Sequence, residues 1–223
     1  SAASDVYKRQ LTEHPELEFV QLQFNYLDYE DPVVESRKCY EVCVKHGKKV
    51  SVMEPVKGGA LAELPADAGA ILDALGGGSH ASYALRFAES FDNVFMVLSG
   101  MSTLEQMRDN LATMSDFRPL DDAELAAVHK VAATLRGKGA IPCTACRYCT
   151  SGCPAGIDIP SYFSCFNSKR MFGRPQSSER YAELTKNGSG PNDCIGCGQC
   201  AQYCAWGAIV QPEVVSEGGL SLI

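Results

Sequence analysis

Three segments in the first half of the chain have hydrophobic patterns that predict strands. Residues 18–26 alternate and are rich in residues that favour β-structure. Lys49–Met53 is a shorter strand candidate, and residues 93–98 have the continuous apolar character of a buried strand. Because helical patterns separate these segments, we predict parallel βαβ units rather than a meander of hairpins.

Apolar residues at helical spacing predict the segments between and after the strands. Asp31 and Pro32 can supply the N-cap and first turn of a helix that ends near Gly47. Further helices are predicted at residues 66–75, 79–89, 103–114, 121–136, 160–172 and 177–186. We place the domains at residues 11–120 and 141–223, with the helix in residues 121–140 as their link.

Residues 1–10 match neither the helical period nor the strand period, and we predict a non-native or disordered leader there. Residues 4–10 also resemble translated sequencing-adapter DNA, and the first methionine is Met53. Both features lead us to expect a sequence truncated on its N-terminal side. An ordinary disordered terminus is the alternative.

Charge and composition exclude several classes of partner. The formal net charge is −7 and lysine and arginine do not cluster, so a nucleic-acid partner is not expected. No apolar run approaches the roughly 20 residues that cross a bilayer, and no secretion signal begins the sequence, so we expect a cytoplasmic protein without a membrane partner. Nine of the 11 cysteines lie between Cys143 and Cys204, which fits metal binding better than disulfides.

Two four-cysteine motifs carry the strongest chemical signal. The run from Cys143 to Pro154 has the C-x2-C-x2-C-x3-C-P spacing of bacterial ferredoxins, and a second copy from Cys194 has Ala205 in place of the proline. In two-cluster ferredoxins the fourth cysteine of each motif binds the other cluster. We therefore predict two 4Fe-4S clusters, with the ligand sets Cys143, Cys146, Cys149 and Cys204, and Cys194, Cys197, Cys200 and Cys153.

Other features of this region refine the prediction. We expect Gly152, Gly196 and Gly198 to let backbone N–H groups approach the inorganic sulfurs, and Trp206 to screen one cluster from solvent. The long insert at residues 155–193 favours an α-helical ferredoxin arrangement. Structural zinc is the alternative for the motifs, although zinc ribbons use separated cysteine pairs.

The remaining cysteines are interpreted as core residues. Cys165 lies on a predicted helix outside both motifs. Cys39 and Cys43 are four residues apart on a helix and could form half of a metal site, but the apolar face of that helix is the preferred interpretation.

Three segments of the first half resemble the aldo/keto reductase family: residues 21–28, 52–59 and 98–110. They look like the last three βα units of that family's eight-stranded barrel, followed by a ferredoxin domain found in one bacterial branch. The resemblance implies an α/β fold, a partial (β/α)8 TIM barrel followed by a mostly α-helical ferredoxin-like iron-sulfur domain.

The resemblance also implies contacts with NADP(H) or NAD(H). Gln23 would contact the nicotinamide carboxamide, and the loop after the second strand would lie along the pyrophosphate. A third group would hold the adenosine end near a helix N-terminus. The implied nucleotide residues are Gln23, Met53, Glu54, Pro55, Lys57, Gly58, Gly59, Ser99, Gly100, Met101, Ser102, Thr103, Gln106 and Asn110. Taken alone, Gly58 with Gly59 and Ser99 with Gly100 also fit ordinary turns.

The implied activity is reduction of a small carbonyl substrate or its reverse, while the clusters pass single electrons to or from a flavin or a ferredoxin-type partner. The family's catalytic tetrad comes from earlier strands that this chain does not contain, so no catalytic residue is assigned. We interpret His14, His46, His80 and His129 as surface residues. The alternative function is an electron carrier or docking module without reductase activity. Weak nucleotide binding and poor solubility of the isolated chain are also expected, since three strands leave open sheet edges.

Overall fold

A computed structural model describes residues 3–204 and 207–209 of the chain, which forms two compact units. One unit ends at Lys138 and the other begins at Gly139. Trp206, which we expected to screen one cluster from solvent, and its neighbour Ala205 lie outside the described residues.

The first unit is built around a parallel sheet of β1 (Phe19–Gln23), β2 (Lys49–Met53) and β3 (Val94–Val97) in the order β1-β2-β3. The prediction of parallel βαβ units is therefore confirmed. Gln23 at the end of β1 pairs in register with Met53 at the end of β2. Since the strands are parallel, their carboxyl ends meet at one edge of the sheet, where ligands of open α/β sheets bind.

Helices connect the strands of this sheet, and α2 and α4 pack against them. Ser79 caps α4 with its side chain, and Thr103 and Asp121 form capping boxes with Gln106 and Glu124 at the starts of α5 and α6. The helices of the first unit are α1 (Ala3–Glu13), α2 (Ser36–Lys45), α3 (Ala66–Asp73), α4 (His80–Glu89), α5 (Leu104–Ser115) and α6 (Asp122–Arg136).

Helix α1 occupies the segment where we predicted a leader without regular structure, and this interpretation of the pattern was wrong. The helix packs against α2, where the Leu11 side chain is buried. Ser4 donates hydrogen bonds from its backbone N–H and its hydroxyl to Glu35, and the Tyr7 hydroxyl donates to the Gln21 carbonyl. These tertiary contacts help to stabilise the helix.

Two boundaries differ from the sequence prediction for local reasons. Strand β1 ends at Gln23 because the Asn25 side-chain oxygen accepts the N–H groups of Leu27 and Asp28, which turns the chain. Asp31 does not cap α2. Its carboxylate accepts the N–H groups of the two residues after Pro32 and closes a turn there, so the helix begins later, at Ser36.

The core of the first unit lies between the sheet and its helices. Val20, Leu22, Val50 and Val52 of the strands are buried, as are the aromatic side chains of Phe24 and Phe87. Helix α6 contributes an apolar stripe at helical spacing to the same unit, made of Ala127, Val128, Val131, Ala132 and Leu135.

The second unit is mainly helical. Its elements are α7 (Tyr148–Ser151), α8 (Ile159–Phe172), α9 (Gln176–Asn187), α10 (Gln199–Gln202) and a 3₁₀ turn at Pro191–Asp193. Helices α8 and α9 pack side by side, with Tyr162 and Tyr181 in edge-to-face contact at a centroid distance of 5.2 Å. Few apolar side chains of the described part of this unit are buried: Cys149, Ile157, Tyr162 and Cys165 are the clear cases, with Pro160 beside them.

Within the described part of the chain, no helix has the length and apolar character needed to cross a membrane.

Candidate functional site

The eight motif cysteines line two separate cavities in the second unit. One cavity of about 20 Å³ is lined by Cys143, Cys146, Cys149 and Cys204. The other, of about 380 Å³, is lined by Cys153, Cys194, Cys197 and Cys200. Each cavity thus takes three thiols from one motif and the last thiol from the other, the same grouping that ferredoxin spacing predicts.

The grouping of these thiols, four around each cavity, matches the ligand number of four-iron clusters, although the smaller cavity of about 20 Å³ has room for about one water and would have to widen to hold a cluster. In the described residues, no three cysteine, histidine or acidic side chains meet closely enough to hold one metal ion. A cubane does not require this, because each of its four thiolates binds a different iron at a different corner. The walls of the larger cavity are mainly apolar, including Ile157, Phe163 and Ile195, which limits solvent around a bound cluster.

The two C-x2-C-x2-C loops share one backbone conformation. In the second motif, Gly196 and Gly198 have φ values of 69° and 72°. In the first motif the matching positions hold Ala145 and Arg147, with φ values of 54° and 65°. Alternating left-handed residues turn successive N–H groups toward one side of a loop and form an anion-binding nest. The first motif adopts this shape although neither residue is glycine, at a cost of roughly 1–2 kcal/mol per residue.

Hydrogen bonds and burial affect the thiols of the first cavity. The Ala208 N–H donates to the Cys204 sulfur at 3.2 Å. The backbone N–H of Tyr148 and the Thr144 hydroxyl lower the pKa of Cys146, whereas burial raises the pKa of Cys149. Such donors favour the thiolate form that binds iron.

Gly152 differs from Gly196 and Gly198, the other two glycines that we expected to let backbone N–H groups approach the inorganic sulfurs. Its φ is not positive, unlike those of the motif's left-handed residues. A Cβ atom at this position would lie 2.9 Å from a ring carbon of Tyr203. Gly152 therefore leaves room for Tyr203, the residue directly before Cys204, and so allows the two motifs to pack together.

The three remaining cysteines lie in apolar cores, as predicted. Cys39 and Cys43 are buried on α2, and burial raises their pKa values to about 12 and about 11. Cys165 is buried on α8, where burial raises its pKa as well. Inert protonated thiols are expected at these positions.

In the first unit, the loop after β2 contains most of the implied pyrophosphate residues. Glu54, Lys57, Gly58 and Gly59 all have positive φ, with values of 55°, 48°, 57° and 82°. The loop leaves the carboxyl end of β2 beside Gln23, since Gln23 pairs with Met53. The Met53 sulfur in turn accepts a hydrogen bond from the Gln21 side chain at 3.4 Å.

A buried acidic residue that sequence reasoning did not select holds this loop. The Asp28 carboxylate, 3% exposed, accepts hydrogen bonds from Gln23 at 2.7 Å and Asn25 at 2.8 Å, and it forms a 2.6 Å ion pair with Lys57. The Asn25 amide also donates to the Glu54 carbonyl at 3.0 Å. The chain reversal after β1 brings these groups together, so their spacing in sequence gave no signal.

The implied adenosine residues gather at the end of β3. The Asn110 amide donates to the Ser99 hydroxyl at 3.1 Å, and both residues line a cavity of about 480 Å³ together with Gly100 and Met101. The Gln106 side-chain oxygen accepts the N–H groups of Ser102 and Thr103 at 2.7 and 3.3 Å. A phosphate at this helix N-terminus would have to displace that oxygen.

The histidines differ in exposure. His14 and His129 are exposed and His46 is partly exposed, but the His80 side chain is only 19% exposed and lies 3.0 Å from Asp73. His80 is less exposed than His14 and His129 because it packs against the small residue Gly69 of α3.

The parallel βα unit and the paired cysteine cavities define an iron-sulfur oxidoreductase. Comparison with known families gives the same answer. The profile of the Aldo/keto reductase family matches residues 2–133, and the profile of the 4Fe-4S dicluster domain matches residues 142–209. The chain therefore belongs to the aldo/keto reductase family and carries a 4Fe-4S dicluster domain. No curated protein matches it.

Proposed function

We propose that the chain is the nucleotide-binding and cluster-binding part of an NAD(P)H-linked reductase that interconverts a small carbonyl compound and its alcohol. Two 4Fe-4S clusters would connect this chemistry to a flavin or a ferredoxin-type partner. A cytoplasmic location is part of the proposal, since the ligand thiols must stay reduced.

The observation that carries the proposal is the crossed grouping of thiols around the two cavities. Cys204 lines the cavity of the first motif, and Cys153 lines the cavity of the second. Bound clusters supply one-electron transfer. The protein supplies four thiolates for each, N–H groups from the left-handed loops, and an apolar wall that limits water.

The nucleotide part of the proposal rests on the carboxyl edge of the sheet. Gln23 would contact the carboxamide, and the Lys57 ammonium with the backbone of Gly58 and Gly59 would face the pyrophosphate. Ser99 and Asn110 would line the adenosine end. A positive ammonium, 28% exposed and anchored by Asp28, suits a polyphosphate ligand.

Crossed ligation makes a specific prediction about pairs of variants. Cys143→Ser with Cys204→Ser removes two ligands of one cluster, whereas Cys194→Ser with Cys204→Ser removes one ligand from each. After anaerobic reconstitution we expect about eight iron per wild-type chain, about four with the first pair, and damage to both clusters with the second pair. Iron and sulfide analysis with electron paramagnetic resonance measures these outcomes.

Cys165→Ser is the matched control, because Cys165 lies in the core away from both cavities and its loss should leave iron content unchanged. Equal iron loss in the two paired variants would contradict crossed ligation. Wild-type chain that holds zinc and no sulfide would contradict the cluster proposal itself.

An electron carrier is the second candidate function, and exposed apolar side chains near the thiols favour it. Tyr148 is 67% exposed, Ile195 is 71% exposed and Tyr203 is 55% exposed. Such residues suit the surface of a transient redox partner. Titration with NADH and NADPH separates the two candidates, because a reductase binds nucleotide in the first unit and a carrier shows reducible clusters without nucleotide binding.

A further inference from the structure

Asp28 accepts hydrogen bonds from several polar groups at the carboxyl ends of β1 and β2. One oxygen of its carboxylate accepts N–H groups from Gln23 and Asn25, and the other binds the Lys57 ammonium. The Asp28 side chain is 3% exposed, so these three donors replace the water that a carboxylate would otherwise bind.

This arrangement fixes which end of the Gln23 amide faces outward. An ionised carboxylate can only accept hydrogen bonds, so the Gln23 NH2 group must point toward Asp28. The Gln23 carbonyl oxygen is then the end of the amide that remains for a ligand. Asn25 cannot reverse the order, since its own NH2 group is shared between Asp28 and the Glu54 carbonyl.

We propose that Asp28 is a positioning residue that presents Gln23 to the nicotinamide ring as a hydrogen-bond acceptor only. The inference rests on the proposed function and adds a basis for ligand selectivity to it. A ligand amide NH2 group gains a hydrogen bond from this acceptor, whereas a methyl group in the same place leaves the Gln23 oxygen unpaired.

Lys57 makes the arrangement sensitive to the charge of Asp28. In Asp28→Asn, the ammonium of Lys57 keeps the oxygen of the new amide on its own side by charge. The new NH2 group then faces the NH2 groups of both Gln23 and Asn25. Asn25 keeps its orientation because the Glu54 carbonyl and two backbone N–H groups hold its amide, so the Gln23 amide is the one that turns its oxygen inward and its NH2 outward. The variant keeps the shape of the residue 28 side chain, but Gln23 then presents a hydrogen-bond donor to the ligand instead of an acceptor.

The test compares nicotinamide adenine dinucleotide with its 3-acetylpyridine analogue, which has a methyl group in place of the amide NH2. Titration calorimetry on the reconstituted full chain should show about fivefold to tenfold tighter binding of the natural dinucleotide. In Asp28→Asn the ratio should fall to about one, because both ligands carry a carbonyl oxygen that can accept from the reversed Gln23. Asp116→Asn makes the same chemical change at an exposed site and should keep the wild-type ratio.

A second measurement does not depend on the variant or on nucleotide. Nuclear magnetic resonance of the wild-type chain should show slowly exchanging Gln23 side-chain NH2 protons, and rapid exchange would overturn the inference. Equal ligand ratios in wild type and Asp28→Asn would also overturn it while leaving the proposed function intact. Failure of the wild-type chain to bind either dinucleotide would overturn the proposed function and this inference together.

Discussion

At the scale of single residues, the two cluster loops achieve one shape with different amino acids. Gly196 and Gly198 adopt left-handed backbone at little cost, but Ala145 and Arg147 carry a Cβ atom that clashes in this conformation. Arg147 also pairs with Asp158 at 2.9 Å, so its side chain holds the strained loop against the start of α8. Ala145 has no comparable side-chain function, and its strain should be removable.

Replacing Ala145 with glycine should therefore stabilise the second unit. We expect Ala145→Gly to raise the unfolding free energy by about 0.5–1 kcal/mol, the left-handed cost removed less the backbone entropy that glycine adds. Thermal unfolding of the cluster-loaded chain measures the change. Ala201→Gly is the matched control in helical backbone and should destabilise by up to about 1 kcal/mol, so two changes of the same sign would contradict the explanation.

At the scale of elements, one ion pair joins helices that are far apart in sequence. The Arg86 guanidinium of α4 donates to both carboxylate oxygens of Glu124 in the first turn of α6, at 2.7 and 2.5 Å. Both side chains are only 14% exposed. Arg86 also donates to the Arg118 and Pro119 carbonyls, so one side chain fixes the start of α6 and the loop before it.

This pair predicts acid sensitivity of the first unit. Arg86 lowers the pKa of Glu124 below its ordinary value of 4.5, so the stabilisation is complete above that value and disappears as pH falls through the lowered pKa. Glu124→Gln should cost about 2 kcal/mol at neutral pH, less than a fully buried pair, and almost nothing in stronger acid.

Denaturant unfolding at several pH values measures the effect of Glu124→Gln. The control is Glu41→Gln, which removes an exposed partner of Arg37 and should change stability by less than about 0.5 kcal/mol. A cost for Glu124→Gln that stays constant into acid would show that packing, not the ion pair, explains it.

At the scale of the whole molecule, the two units depend on different forces. The first has a continuous core of strand and helix side chains, whereas the buried apolar side chains of the second are few. Crossed thiols would tie both motifs to both clusters, so metal binding would contribute directly to the folding of that unit.

Iron removal should therefore unfold the second unit selectively. With a chelator and a reductant, we expect amide protection to be lost across α8 and to persist in β2 and α6. Hydrogen exchange with mass spectrometry follows both units in the same sample. Persistent protection of α8 without iron would contradict a metal-dependent fold, and loss of protection in β2 would contradict separate folding of the units.

The sequence by itself determined the features that depend on local spacing. Strand β2 and helix α6 have the predicted limits, since alternation, caps and apolar stripes are properties of neighbouring residues. The cysteine spacing also predicted the thiol groups around both cavities, because a short loop can present its thiols in few ways.

Only the tertiary structure decided the features that need contacts between distant segments. Helix α1 packs against α2 and its Leu11 is buried, and Asp28 meets Lys57 because the turns after β1 and β2 converge at the carboxyl ends of the strands. The Gln106 side chain accepts the Ser102 N–H, and Gly152 leaves room for the Tyr203 ring. Both contacts depend on which groups the fold places opposite these residues. The burial and the hydrogen-bond partners of these residues depend on contacts between distant segments, which the spacing of residues along the chain does not reveal.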